Sequence, residues 1–190
     1  MLNKPKIKAE PELDENGFKR ITKKFLRDLC EELELFTTPA LNEKLYLHYR
    51  GFSKIENLEE FVNLRALYLD NNCIKKIENL GALKNLRCLY LQNNLIQKIE
   101  NLEQLENLVV LNLAHNQLKK VENLNTLPKL ESIDLSFNYL EDAEALEGLL
   151  ECQTLTNVDL SNNETKYSDN ILPIFIAMKN LKCLYLRNNP

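Results

Sequence analysis

The chain has 190 residues, of which 44 % are hydrophobic, and a formal net charge of −4. That apolar content is enough for one sizeable core, and the acidic balance gives no basic footprint, which argues against nucleic acid as the main partner. Cys30, Cys73, Cys88, Cys152 and Cys183 are odd in number with no CxxC spacing, and the longest apolar run, Ile171 to Met178, is far too short to span a bilayer, so the chain reads as a reduced intracellular protein with no membrane segment.

Met1 to Gly17 mixes Lys, Glu and Pro with few apolar residues and carries no apolar signal region. Residues 1–17 are therefore expected as a mobile, solvated tail. Residues 18–40 are expected as an N-terminal capping helix. Ile21, Phe25, Leu29 and Leu33 recur every four residues with Leu26 and Cys30 beside them, the pattern of an amphipathic helix from Ile21 to Leu35. Thr22 suits the N-cap, Ile21 and Leu26 are placed to form a hydrophobic staple, and Pro39 should end the segment. The polar side, with Lys24, Arg27, Asp28 and Glu31, reads as solvated surface.

Residues 41–190 are read as a stack of one unit. LRALYLDNNCIKKIENLGALKN, Leu64 to Asn85, is followed by LRCLYLQNNLIQKIENLEQLEN, Leu86 to Asn107. Leu64, Leu86, Leu108 and Leu130 fall in one column with a step of 22 residues, and Leu69, Leu91, Leu113 and Leu135 in another. In LxxLxL the last two leucines share a strand face, and the residue between them points the other way. One unit cannot bury its own leucines, but stacked units make a parallel sheet backed by an aliphatic wall. The pattern LxxLxLxxNxIxxIxxL resembles the leucine-rich repeat. It implies an α/β solenoid with a curved parallel sheet on the concave side and short helical or irregular segments on the convex side. Asn72, Asn94, Asn116, Asn138, Asn163 and Asn189 are expected as a structural ladder that satisfies backbone groups in the turns.

The first repeat, Leu41 to Asn63, departs from the rule: Asn42 replaces the leading leucine and Arg50 the ladder asparagine. Beyond Lys129 the spacing grows to 25 residues (Leu130 to Leu155) and then 26 (Leu155 to Leu181). These units have room for helices around Ala143 to Cys152 and Asp169 to Met178, the latter with Ser168 as N-cap. Thr165, at an Ile or Leu position, marks a loosening of the pattern. The last strand, with Leu181, Leu184 and Leu186, would lack a cap, so the chain is expected to be an N-terminal fragment, truncated at its C-terminal end.

Function is sought on the open faces. The residues between paired leucines are Tyr46, Tyr68, Tyr90, Asn112, Asp134, Asp159 and Tyr185. With strands about 4.8 Å apart they form a ladder on the concave face, an aromatic strip with an acidic end that would favour a basic group on a partner. Lys44, His48, Asp70, Gln92, His115, Phe137 and Arg187 are placed in flanking columns, and Tyr46, His48, Tyr68, Asp70, Tyr90, Gln92, Asn112, Asp134, Asp159 and Tyr185 make up the expected partner-binding set. Lys54, Lys76, Lys98 and Lys120 form one charged column and Glu56, Glu78, Glu100 and Glu122 another; these read as solvated surface able to pair laterally.

No catalytic residues, metal site or cofactor is expected. His48 and His115 are three strands apart, and Gly17, Gly51, Gly81 and Gly148 are isolated, so no phosphate-binding loop can be built. A remote alternative places a hard cation on Asp134 and Asp159 with Ser136 and Ser161, as in a metal-dependent hydrolase.

Thr22 to Phe61, TKKFLRDLCEELELFTTPALNEKLYLHYRGFSKIENLEEF, together with LRCLYLQNNLIQKIENLEQL, resembles the N-terminal repeat domain of the dynein axonemal assembly factor 1 family. LYLHYRGF, Leu45 to Phe52, carries most of the resemblance, because the general repeat does not dictate it; the similarity extends to RNNP, Arg187 to Pro190. It implies a non-enzymatic scaffold of the cytoplasm, associated with cilia and flagella; the chain itself is expected to be a monomer. The scaffold would hold axonemal dynein subunits or assembly co-chaperones while the dynein arms are built. It supplies no catalytic residues, and it implies a longer C-terminal region that this chain lacks. The alternative is a repeat subunit of another intracellular complex, such as a phosphatase regulator or a spliceosomal particle.

Overall fold

In a computed structural model, residues 8–166 and 170–190 are described. Seven three-residue strands, β1 (Lys44–Tyr46), β2 (Ala66–Tyr68), β3 (Cys88–Tyr90), β4 (Val110–Asn112), β5 (Ser132–Asp134), β6 (Asn157–Asp159) and β7 (Cys183–Tyr185), make one parallel sheet in chain order. Leu45, Leu67, Leu89, Leu111, Ile133, Val158 and Leu184 stand opposite one another across it. Leu67 and Leu69 are fully buried on either side of half-buried Tyr68, the alternation that a two-residue period dictates. Each such leucine stabilises the stack by about 1.5–3 kcal/mol on transfer grounds, and the leucine and isoleucine columns run as one continuous core from α1 (Lys23–Glu32) to the last repeat. Among the described residues no helix is long and apolar enough to cross a membrane.

The ladder asparagines sit at the inner bend of each coil. Asn94 Nδ2 donates to the carbonyls of Leu69 and Leu91, both at 3.0 Å, and its Oδ1 accepts from Ile74 N–H at 2.9 Å. Asn72, Asn116, Asn138, Asn163 and Asn189 repeat the scheme, with Phe52, Ile96, Leu118, Leu140 and Thr165 as the respective N–H donors.

A second asparagine column lies hidden in the KIEN and KVEN motifs. Asn57, Asn79, Asn101 and Asn123 are left-handed, with φ of 60, 59, 58 and 62°. Their Nδ2 atoms donate to the carbonyls of Ile21, Ile55, Ile77 and Ile99 at 2.7, 2.7, 2.7 and 2.6 Å. Asparagine fits here because it tolerates this backbone region and carries a donor short enough to reach the preceding coil. A third, exposed row ties Asn63 to Ala40 O, Asn85 to Val62 O and Asn107 to Lys84 O. The lateral Lys–Glu pairing expected of the same motifs does not form among the described residues. Lys54, Lys76 and Lys98 are exposed and the glutamates half-buried at the bend; Glu56 pairs with Arg20 and Lys120 with Glu144 instead.

At the N-terminal end Thr22 Oγ1 accepts from Phe25 N–H at 3.1 Å, capping α1, and Ile21 and Leu26 are both buried. Phe25 packs edge-on against Phe52 of the first repeat, with centroids 5.3 Å apart. The helix stops earlier than Pro39: Leu33 is the C-cap and Glu34 turns left-handed (φ 56°), while Pro39 opens a short 3-10 turn, Pro39–Leu41. Asn42 takes the buried place of the missing leucine, and its amide both accepts from Phe36 N–H (3.0 Å) and donates to Phe36 O (2.7 Å), closing the loop after the cap.

Over residues 8–17 the segment expected as a solvated tail is not detached; residues 1–7 lie outside the described residues. Asp14 Oδ1 accepts from the N–H groups of Asn16 and Phe18, Gly17 supplies a φ of 79° for the turn, and Leu13 bridges to Lys19. Ala9 is buried, its N–H donating to Glu32 Oε2 at 2.7 Å while Arg50 Nη1 reaches its carbonyl at 3.2 Å. Arg50, the residue out of pattern in the first repeat, is thus the link between the leading segment and the cap; it also faces the Phe25 ring at 5.7 Å.

The longer repeats hold α2 (Ala143–Leu146), capped by Asp142 and continued as a 3-10 turn to Glu151, and α3 (Leu172–Ala177). Ser168 and Asp169, the expected start of the second helix, lie outside the described residues, and the helix described begins at Leu172. A Cβ at Gly148 would stand 2.1 Å from the carbonyl oxygen of Val121, so the turn after α2 rests directly on the backbone of the previous repeat. Thr165 does not loosen the packing: it is buried at 2 % exposure, and its hydroxyl donates to Leu140 O at 2.8 Å.

Candidate protein-binding face

The strand register places Tyr46, Tyr68, Tyr90, Asn112, Asp134, Asp159 and Tyr185 in one row on the sheet face opposite the core. Adjacent strands hold the tyrosine rings at stacking distance. Tyr46 and Tyr68 lie 4.9 Å apart at 20°, and Tyr68 and Tyr90 4.7 Å apart at 11°. Because the rings cover one another's faces, they are half-buried and offer an incoming chain their edges and hydroxyls, a preorganised surface of little side-chain entropy. Burial raises the Tyr90 phenol above its ordinary range, helped by Cys88 and Tyr68 beside it. His48 meets Tyr46 edge-on at 6.1 Å and Tyr49 at 5.7 Å.

The other members of the row are tied into the backbone. Asn112 Oδ1 accepts from Ala114 N–H at 3.0 Å, and its Nδ2 reaches Asp134 Oδ2 at 3.3 Å. Asp134 Oδ1 takes both the N–H and the hydroxyl of Ser136, at 3.0 and 2.7 Å, and Asp159 Oδ1 takes Ser161 N–H at 2.8 Å. These carboxylates and the Asn112 carbonyl close turns at the strand ends in the manner of Asx motifs. Both Asp134 oxygens are thereby engaged, and among the described residues no group of three His, Cys, Asp or Glu could hold a metal ion. Neither aspartate forms an ion pair among the described residues, so no cation among them offsets the acidic end.

Two residues from each ladder position, His48, Asp70, Gln92 and Arg187 share the neighbouring column with Ala114, Ser136 and Ser161. Asp70 accepts from Asn71 Nδ2 at 2.8 Å. Gln92 Oε1 is buried and accepts no hydrogen bond from the described residues. His115 and Phe137 do not belong to this column: they come one residue later, where the chain turns left-handed, and their rings stack on each other at 3.8 Å. Tyr185, at the far end, is 48 % exposed beside Asp159. Tyr49, just before Arg50, and Tyr139, just after Asn138, are further exposed aromatic residues that the paired-leucine pattern does not single out.

Comparison with known proteins follows the same lines. The family model for leucine-rich repeats (2 copies) matches residues 62–104 and 106–148. Dynein axonemal assembly factor 1 of Peromyscus polionotus is 52 % identical over 60 residues, covering 32 % of this chain and 10 % of the relative. The same-named proteins of Rattus norvegicus and Homo sapiens are 57 % and 55 % identical over 49 residues, 26 % of this chain and 8 % and 7 % of their own length. The matched stretch thus spans a tenth or less of these relatives. Among solved structures, a leucine-rich-repeat protein of Leptospira interrogans superposes with a TM-score of 0.66 at 26 % identity, over 86 % of this chain and 40 % of that one. The functional domain of InlJ from Listeria monocytogenes superposes at 0.61 with 19 % identity, over 84 % and 31 %, a likeness of fold alone. The chain folds as a leucine-rich-repeat solenoid, and stretches of 49 to 60 of its residues are similar to dynein axonemal assembly factor 1.

Proposed function

We propose that this protein is a non-catalytic scaffold in the cytoplasmic pre-assembly of axonemal dynein arms for motile cilia or flagella. In this reading a dynein subunit or an assembly co-chaperone lies across the open sheet face. The observation that carries the reading is the 52–57 % identity to dynein axonemal assembly factor 1 over 49 to 60 residues. The face supports it physically. Three stacked tyrosines give a rigid contact area, and Asp134 and Asp159 at one end attract a basic partner.

The test is capture of axonemal dynein subunits from an extract of ciliated cells by the intact protein and by Tyr68→Ala/Tyr90→Ala. Both side chains point away from the core, so the double variant should keep its fold while losing about ten-fold or more in capture. Equal capture by the two proteins, with unchanged circular dichroism, would remove the tyrosine strip as the gripping surface. Capture of no dynein subunit by either would remove the dynein reading itself.

A further inference from the structure

One residue per repeat takes the left-handed conformation where the chain leaves the sheet: Tyr49, Asn71, Asn93, His115, Phe137, Asn162 and Asn188, with φ between 53 and 57°. Four of the seven are asparagine, which tolerates this region because its short amide bonds locally. Tyr49 and Phe137 are the bulky aromatic exceptions, and Phe137 shares an open cleft with an exposed carboxylate, Glu164. A bulky ring gains nothing from that backbone, and at 44 % exposure burial does not compensate. The part of the ring that stays exposed is open to an external use.

The surroundings define that use. His115 covers one face of the Phe137 ring, with centroids 3.8 Å apart and planes at 12°. His115, Phe137, Tyr139, Asn162 and Glu164 line one open cleft, in which Glu164 is the acidic group. Glu164 is exposed and has no ion-pair partner among the described residues. The same repeats carry Asp134 and Asp159 on the sheet face, so a cation approaching this edge meets negative potential. A planar cation able to stack on an aromatic face and present a fork to a carboxylate satisfies both features, and guanidinium does so where the strongly hydrated ammonium of lysine does not.

We propose that the strand-exit cleft of Phe137 and Glu164 binds an arginine side chain of a protein partner, its guanidinium stacked on the Phe137 face turned away from His115 and paired with the Glu164 carboxylate. The site lies beyond the tyrosine strip and does not depend on what that strip holds.

The test titrates the full isotope-labelled chain with Ac-Gly-Arg-Gly-NH2, and separately with Ac-Gly-Lys-Gly-NH2, while amide spectra are recorded. The arginine peptide should move the amides of Phe137, Tyr139, Asn162 and Glu164 saturably, and the lysine peptide should bind about five-fold more weakly. Phe137→Asn restores the residue usual in this column. It should weaken the arginine peptide by about five-fold. Glu164→Gln should weaken the peptide without moving the Tm. The proposal is overturned if Phe137→Asn leaves peptide affinity unchanged, if the two peptides bind alike, or if neither shifts these amides saturably.

Discussion

Asn94 Oδ1 accepts the backbone N–H of Ile74, one coil back, at 2.9 Å. On its other side Asn94 Nδ2 shares the Leu69 carbonyl with Asn72 and the Leu91 carbonyl with Asn116. Each of these leucine carbonyls thus serves two asparagines, whereas the Ile74 N–H has Asn94 as its bond.

That asymmetry decides what a substitution costs. Asn94→Ala leaves both carbonyls one partner each but orphans a buried donor, so the expected loss is about 2 kcal/mol, within the 1–3 kcal/mol of an unsatisfied buried group. Asn94→Asp keeps an acceptor for Ile74 but turns an oxygen toward two carbonyls. Its carboxyl should be held above the ordinary range, with stability present at pH 4, where the protonated acid can donate, and lost as pH rises through the folded value. Urea unfolding at pH 4 and pH 7 reads both effects; an aspartate variant more stable at pH 7 than at pH 4 would contradict the ladder geometry.

The second column separates backbone conformation from hydrogen bonding. Asn101 holds a φ of 58° and donates to Ile77 O at 2.7 Å. Asn101→Gly should lose only the bond, about 1 kcal/mol, because glycine accepts the left-handed region freely. Asn101→Ala should lose the bond and also bear a left-handed Cβ, about 2–3 kcal/mol in all. Equal losses for the two variants would show that the conformation is not what selects asparagine there.

The two columns also show where sequence reading succeeds. LxxLxL fixes strand, facing and register through a two-residue period, and hence the row from Tyr46 to Tyr185. The ladder asparagines stand out because they break an apolar pattern at a constant step. In KIEN, however, Lys and Glu draw attention as charges, while Asn101 and its equivalents do the structural work through a backbone angle that hydropathy does not register. His115 and Phe137, expected in flanking columns, fall instead at the left-handed residue where alternation ends, which nothing in the letters marks. The docking of Ala9 was hidden for another reason: it depends on Glu32 and Arg50, partners distant in sequence that meet only once α1 is seated.

Tyr90 offers a spectroscopic handle on the open face. Burial between its neighbours, and the nearby Cys88, keep its phenol protonated to higher pH than a free tyrosine, whose pKa is about 10. A group whose folded pKa is raised binds its proton more tightly when folded. Its contribution to stability is therefore whole below the unfolded value and declines as pH climbs through the folded one. In an absorbance titration of tyrosinate, Tyr90→Phe should remove a component that ionises above the ordinary tyrosine range, and Cys88→Ala should move that component down. In urea unfolding above pH 10, Tyr90→Phe should lose stability with pH less steeply than the parent. Were the parent and Tyr90→Phe to fall in parallel across that window, the phenol would not be desolvated by the stack, and the aromatic strip would be looser than ring separations of 4.9 and 4.7 Å require.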